Sequence, residues 1–65
     1  MKFDKEAYAS EQIASAKLKL ERSPDDISQK DRICYWYAYL GDFKNAEEWA
    51  FTDKARDYIR EFNGR

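Results

Sequence analysis

Apolar positions recur along this chain at spacings of three and four, the period of an α-helix, and two short polar interruptions divide them into three stretches. The first predicted helix runs from about Lys5 to Arg22. Asp4 stands at its N-cap, and Phe3 and Tyr8 occupy the N′ and N4 positions of a hydrophobic staple. Glu6 lies in its first turn and Lys17, Lys19 and Arg22 lie towards its end, each suited to the helix dipole. Ser23-Pro24-Asp25-Asp26 then reads as a cap, a proline at N1 and two carboxylates at N2 and N3. The second helix runs to about Leu40, where Gly41 can take a positive φ and Asp42 can cap a third helix.

Unrolled at 100° per residue, the first helix carries two apolar stripes. Ala9, Ile13, Ala16 and Leu20 form one; Ala7, Ala14 and Leu18, with Phe3 just upstream, form a weaker one on nearly the opposite side. The plainer expectation is a helix wedged between two neighbours, and the sharper one is a stripe offered to a partner. The second helix places Ile33, Trp36, Tyr37 and Leu40 on one side and Ile27, Cys34 and Ala38 on the adjoining one. Tyr35 and Tyr39, four apart, share what is left, with Ser28 and Arg32 below them. The third helix changes face midway. Phe43, Ala46, Trp49 and Ala50 give way to Phe51, Ala55, Tyr58, Ile59 and Phe62 about half a turn round. Either it continues straight, the favoured expectation because no Gly or Pro forces a break, or it bends at Phe51-Thr52-Asp53 into a short fourth helix.

The segment from Leu40 to Ala50 resembles the turn and second helix of a tetratricopeptide repeat, through Gly41, Asp42, Phe43 and Ala46. Ile33, Cys34 and Asp53 depart from that pattern, and one repeat cannot bury its own face. The resemblance implies an antiparallel hairpin of helices two and three and no family function. The expected fold is all-α: one domain over 1–65, a compact bundle of three short helices or four, with helix two central.

Length and composition then narrow the function. A 65-residue chain buries only roughly 60% of its unfolded surface, so the core is marginal. One Cys and no His exclude an internal disulfide and the usual zinc ligand sets. The start Met1-Lys2-Phe3-Asp4 is no signal peptide, and the longest apolar run falls far short of the roughly 20 residues that span a bilayer. A complete small cytoplasmic gene product is the expectation. With 12 basic and 13 acidic residues the net charge is −1, too balanced to signal nucleic-acid binding.

No motif points to catalysis. Nucleophilic triads need a histidine, Cys34 reads as a small buried hydrophobe, and no Gly-rich loop is present to cradle a phosphate. Asp25-Asp26 and Glu47-Glu48 read as dipole-matched acids near helix starts. The chain is therefore expected to be no enzyme and to need no cofactor or metal. The alternative from another class is a small helical nucleic-acid-binding regulator, resting on Lys17, Lys19, Arg22, Lys30 and Arg32 around the first turn. Those of helix one do not share a face. Further on, Arg56 and Arg60 interleave with Asp53, Asp57 and Glu61 as ion pairs.

The informative excess is aromatic: four Phe, two Trp and five Tyr, 17% of the chain. Trp36, Trp49, Phe43 and Phe62 are the expected core, and rings beyond those must reach the surface, where Tyr and Trp dominate binding hot spots. Two readings of Tyr35 and Tyr39 stand: covered by helix one, or anchoring an interface. The candidate protein-binding residues are Tyr35, Tyr39, Phe51, Tyr58 and Leu18. The expected function is protein–protein interaction, as a regulator, adaptor or inhibitor, with a homodimer the most economical cover for the surplus rings. Small standalone proteins of bacteria and phages often act so, which is association rather than physics.

Overall fold

The computed structural model describes residues 3–64 and contains four helices with no strand among them. The first, α1 (Lys5–Arg22), begins as its caps dictate. The Asp4 carboxylate accepts from the amides of Glu6 and Ala7, both at 3.1 Å, and the Phe3 and Tyr8 rings meet at 5.6 Å to close the staple. The helix α2 (Ile27–Tyr39) begins later than expected. Pro24 does not open it; it sits second in a β-turn closed by the Asp26 amide on the Ser23 carbonyl at 3.0 Å. Asp26 is the cap, accepting from the Ser28 amide at 3.1 Å and the Ser28 hydroxyl at 2.6 Å. The hydroxyl bond, aided by nearby amides and Lys19, holds the Asp26 carboxyl below its ordinary pKa.

The end of α2 is a Schellman motif. The amides of Gly41 and Asp42 donate to the carbonyls of Ala38 (3.0 Å) and Tyr37 (2.9 Å), with Gly41 at φ 79°. Asp42 then caps α3 (Phe43–Glu48), completing the expected hairpin. The continuous third helix is overturned: α3 stops after six residues, and Thr52, in extended conformation, caps α4 (Asp53–Asn63). The Thr52 hydroxyl oxygen accepts from the Ala55 amide at 3.1 Å while its proton goes to Asp31 of α2 at 2.8 Å. The break is thus fixed by a bond to another helix. It also puts Glu47 and Glu48, expected near a helix start, in the last turn of the short α3, the end the dipole does not favour.

Helix α2 is central, pairing with α1, α3 and α4, while α1 pairs with α2 alone. The wedged position expected for α1 is therefore not found. Its stripe Ala9, Ile13, Ala16 and Leu20 is buried, and the second stripe, Ala7, Ala14 and Leu18, faces solvent. The core has two lobes. On one side of α2, Ile33 meets Ile13, Ala16 and Leu20; on the other, Cys34 and Ala38 meet Ala46 and Ala55. None of the rings expected in the core is fully buried: Trp36, Trp49, Phe43 and Phe62 are half-buried and pack around these small side chains.

The resulting molecule is thin, 34 × 29 × 15 Å between Cα extremes. With α1 and α4 on separate sides of α2, these three make one layer. Tyr37 and Trp49 touch both lobes of the core, and α3 packs behind, closing what we term the back of the layer. Fifteen ångströms holds a helical layer and one helix behind it, at axis spacings of about 8–10 Å.

Candidate protein-binding face

The front of the layer is built from one side of α2. Ser28, Arg32, Tyr35, Trp36 and Tyr39 stand at helical positions i, i+4, i+7, i+8 and i+11, which share a face. Tyr37 is two residues, or 200°, from Tyr35 and points to the back, where its hydroxyl accepts from the Lys17 ammonium at 2.9 Å.

Rings from the flanking elements join that face into one belt. From the α1 side, Phe3 meets Tyr8, and Tyr8 meets Trp36 edge-on at 5.4 Å. Trp36 touches Tyr35 at 5.1 Å and Tyr39 at 5.4 Å. From α4, Tyr58 meets Tyr35 at 5.1 Å, and Phe62 meets Tyr35 at 5.4 Å and Tyr39 at 6.0 Å. The pairs beyond Phe3–Tyr8 are edge-to-face, the arrangement that places a ring's positive edge on a neighbour's negative face. Each ring is thereby held in place by at least one other. The belt is nevertheless open: Phe3 is 73%, Tyr8 42% and Tyr39 36% exposed, with Tyr35, Trp36, Tyr58 and Phe62 half-buried.

At one edge of the belt an open hollow of about 370 Å³ lies beside Tyr35 and Tyr58, rimmed by Asp31, Arg32 and Lys54. Arg32 also donates to the Gln12 side chain of α1, tying the first two helices together across the front.

Three of the five expected contact residues come together here: Tyr35, Tyr39 and Tyr58. The cover foreseen for the tyrosines does not come from α1; it is α4 that packs on Tyr35. Phe51 is 57% exposed in the α3–α4 link and takes its contacts from Trp49 (6.4 Å) and the Lys30 ammonium (4.9 Å) instead. Leu18, 58% exposed, lies on the outer side of α1 among Ser15, Lys19 and Arg22. Phe3, Tyr8, Trp36 and Phe62 are members of the face that the sequence did not point to. Tyr8 had a local role as a staple, and the large apolar rings Trp36 and Phe62 read as core.

Other candidate groups are occupied otherwise. Cys34 is fully buried, its thiol directed at the Ala55 carbonyl at 3.5 Å, and loss of solvation, with the Asp31 charge adding to it, pushes its pKa up to about 11. Among the basic residues, Lys17 lies over the Tyr37 and Trp49 rings, and Arg56 and Arg60 face Asp53 and Asp57 at 4.0 and 3.9 Å. Among the described residues no group of three or more His, Cys, Asp or Glu is placed to hold a metal ion, and no helix is long and apolar enough to cross a membrane. No family model, curated protein or solved structure matches the chain.

Proposed function

We propose that this chain is a small, non-catalytic protein–protein interaction protein, a regulator, adaptor or inhibitor acting in the cytoplasm, whose contact surface is the aromatic front. The observation that carries the reading is the belt itself: seven rings in contact across α2, α4 and the start of α1, on a face left partly open among the described residues. Tyr and Trp anchor interfaces because they offer large area with few rotatable bonds. Rings already locked against one another lose still less freedom on binding, which removes part of the cost of association.

Photo-crosslinking tests this directly. A photoreactive phenylalanine analogue in place of Tyr39 is expected to form a covalent adduct with a protein in the native host, and the same analogue in place of Leu18 is expected to form none. Adducts from position 18 with none from position 39 would move the contact surface to the outer side of α1. Tyr39 is the better probe than Tyr35, whose removal would also loosen α4.

A further inference from the structure

We infer that α4 is a hinged flap, which swings off α2 as a unit about residues 49–52 while α1, α2 and α3 stay folded. The two lobes of the core make that division. The first, Ile13, Ala16, Leu20 and Ile33, lies between α1 and α2 and holds no residue of α4. The second joins α2 to α3 and α4 through Cys34, Ala38, Ala46 and Ala55. Helix α4 pairs with α2 and α3 and not with α1, so its departure leaves the first lobe whole. The lobes also differ in strength. Hydrophobic stabilisation scales with the apolar area buried, and a methyl or thiol group buries far less than the side chains of Ile13, Leu20 and Ile33. Within α4 only Ala55 is buried, and Tyr58, Ile59 and Phe62 are half-buried. Elements with few buried apolar contacts open at the lowest free energy.

The link between α3 and α4 has the form of a hinge, and a side-chain bond latches it. The amides of Trp49, Ala50 and Phe51 donate to the carbonyls of Ala46, Glu47 and Trp49 at 3.1, 3.2 and 3.2 Å. These spans are shorter than the four residues of an α-helical bond, so the link is wound too tightly to continue α3. None of residues 49–52 is Gly or Pro, and the same segment can rewind towards helix as α4 moves. The latch is the Thr52 hydroxyl, which donates to Asp31 of α2 at 2.8 Å. The ion pairs of Arg56 with Asp53 and of Arg60 with Asp57 lie inside α4 and travel with it. Opening parts Tyr58 and Phe62 from Tyr35 and Tyr39 and uncovers the Cys34 thiol, now directed at the Ala55 carbonyl. The flap thus sets how much of α2 faces outward at the proposed contact surface, while the opening itself does not rest on that proposal.

Labelling of Cys34 in the full chain by an aromatic disulfide reagent, without denaturant and at about pH 8, near the ordinary pKa of a thiol, is the test. At reagent concentrations where the rate is proportional to reagent, it reads the population in which α4 is off α2. Two variants separate the flap from unfolding of the whole chain, and both are expected to lower the urea midpoint followed by circular dichroism. Thr52→Ala removes the latch and is expected to raise the labelling rate at least about fivefold, since the bond it loses has a charged acceptor. Ile13→Val weakens the first lobe, which is the same in the closed and open forms, and is expected to leave the rate within about twofold of the parent. If both variants speed labelling in step with their loss of stability, the chain opens all at once and there is no flap. If neither does, the thiol is reached without α4 moving. If Ile13→Val alone does, the opening lies between α1 and α2. Each of these three results overturns the inference. None of the readouts involves a partner, so a missing adduct at position 39 overturns the contact reading and leaves the flap standing.

Discussion

Cys34 illustrates how a single buried group links the fold to its solution conditions. In the unfolded chain its thiol ionises near its ordinary value of 9.0, and burial pushes it up to about 11 in the fold, because the thiolate would sit unsolvated between α2 and α4 and close to Asp31. The folded pKa is the higher one, so the native state favours the protonated thiol. That preference is fully present below about pH 9 and is lost as pH rises through about 11. Cys34→Ala has no thiol to ionise. The stability difference between parent and variant, from urea midpoints, is therefore expected to be constant up to about pH 8 and then to move in the variant's favour towards pH 11. Contributions common to the two proteins cancel in the comparison. A difference that stays flat to pH 11 would mean that the thiol reaches solvent in the native state.

At the scale of the helix, Thr52 decides the architecture. Its hydroxyl both caps α4 and reaches Asp31 on α2, so Thr52→Ala is expected to cost about 1–2 kcal/mol of unfolding free energy, with Thr52→Ser recovering most of it. No loss in the alanine variant would show that the break between α3 and α4 is held by packing alone. This element also marks the limit of what is legible locally. Asp4, Gly41 and Asp42 were readable because a cap bonds to amides two or three residues away, and the Ala9–Leu20 stripe because burial repeats with the helix period. The start of α2 was misplaced because Pro24 has the same φ at the first helical position as at the second position of a turn, so both readings satisfied it. The Thr52 cap bonds locally to the Ala55 amide, so a bend there was one of two readings; what the sequence could not show was the bond to Asp31, 21 positions away, that decides for it. The site divides in the same way. Tyr35 and Tyr39 were visible as an i,i+4 pair. The places of Tyr8, Phe62 and Tyr58 beside them required knowing that α1 and α4 flank α2.

On the scale of the whole molecule, the distribution of charge argues against a polyanion as partner. Lys17 and Lys30 lie over rings, Arg32 is bound to Gln12, and Arg56 and Arg60 face aspartates. A mobility-shift assay at physiological salt is expected to show no complex at micromolar protein, where even non-specific binders associate at about 10⁻⁴–10⁻⁶ M. A tight, salt-sensitive complex would replace the protein-contact reading with the nucleic-acid one. The thinness of the molecule has a further consequence, for the way such a chain can change over generations. Among the described residues, five of the nine buried hydrophobics are alanines: Ala9, Ala16, Ala38, Ala46 and Ala55. Shrinking a methyl group leaves almost no void, whereas any larger side chain there must push two helices apart. Inherited variation in the interior is therefore tightly confined. Phe3, Tyr8 and Tyr39, the exposed rings in front, are bounded by open space on one side and can be exchanged at lower risk to the fold. The part of the molecule proposed to meet other proteins is thus also the part freest to drift, and a lineage of such chains could then change partners while its architecture stays the same.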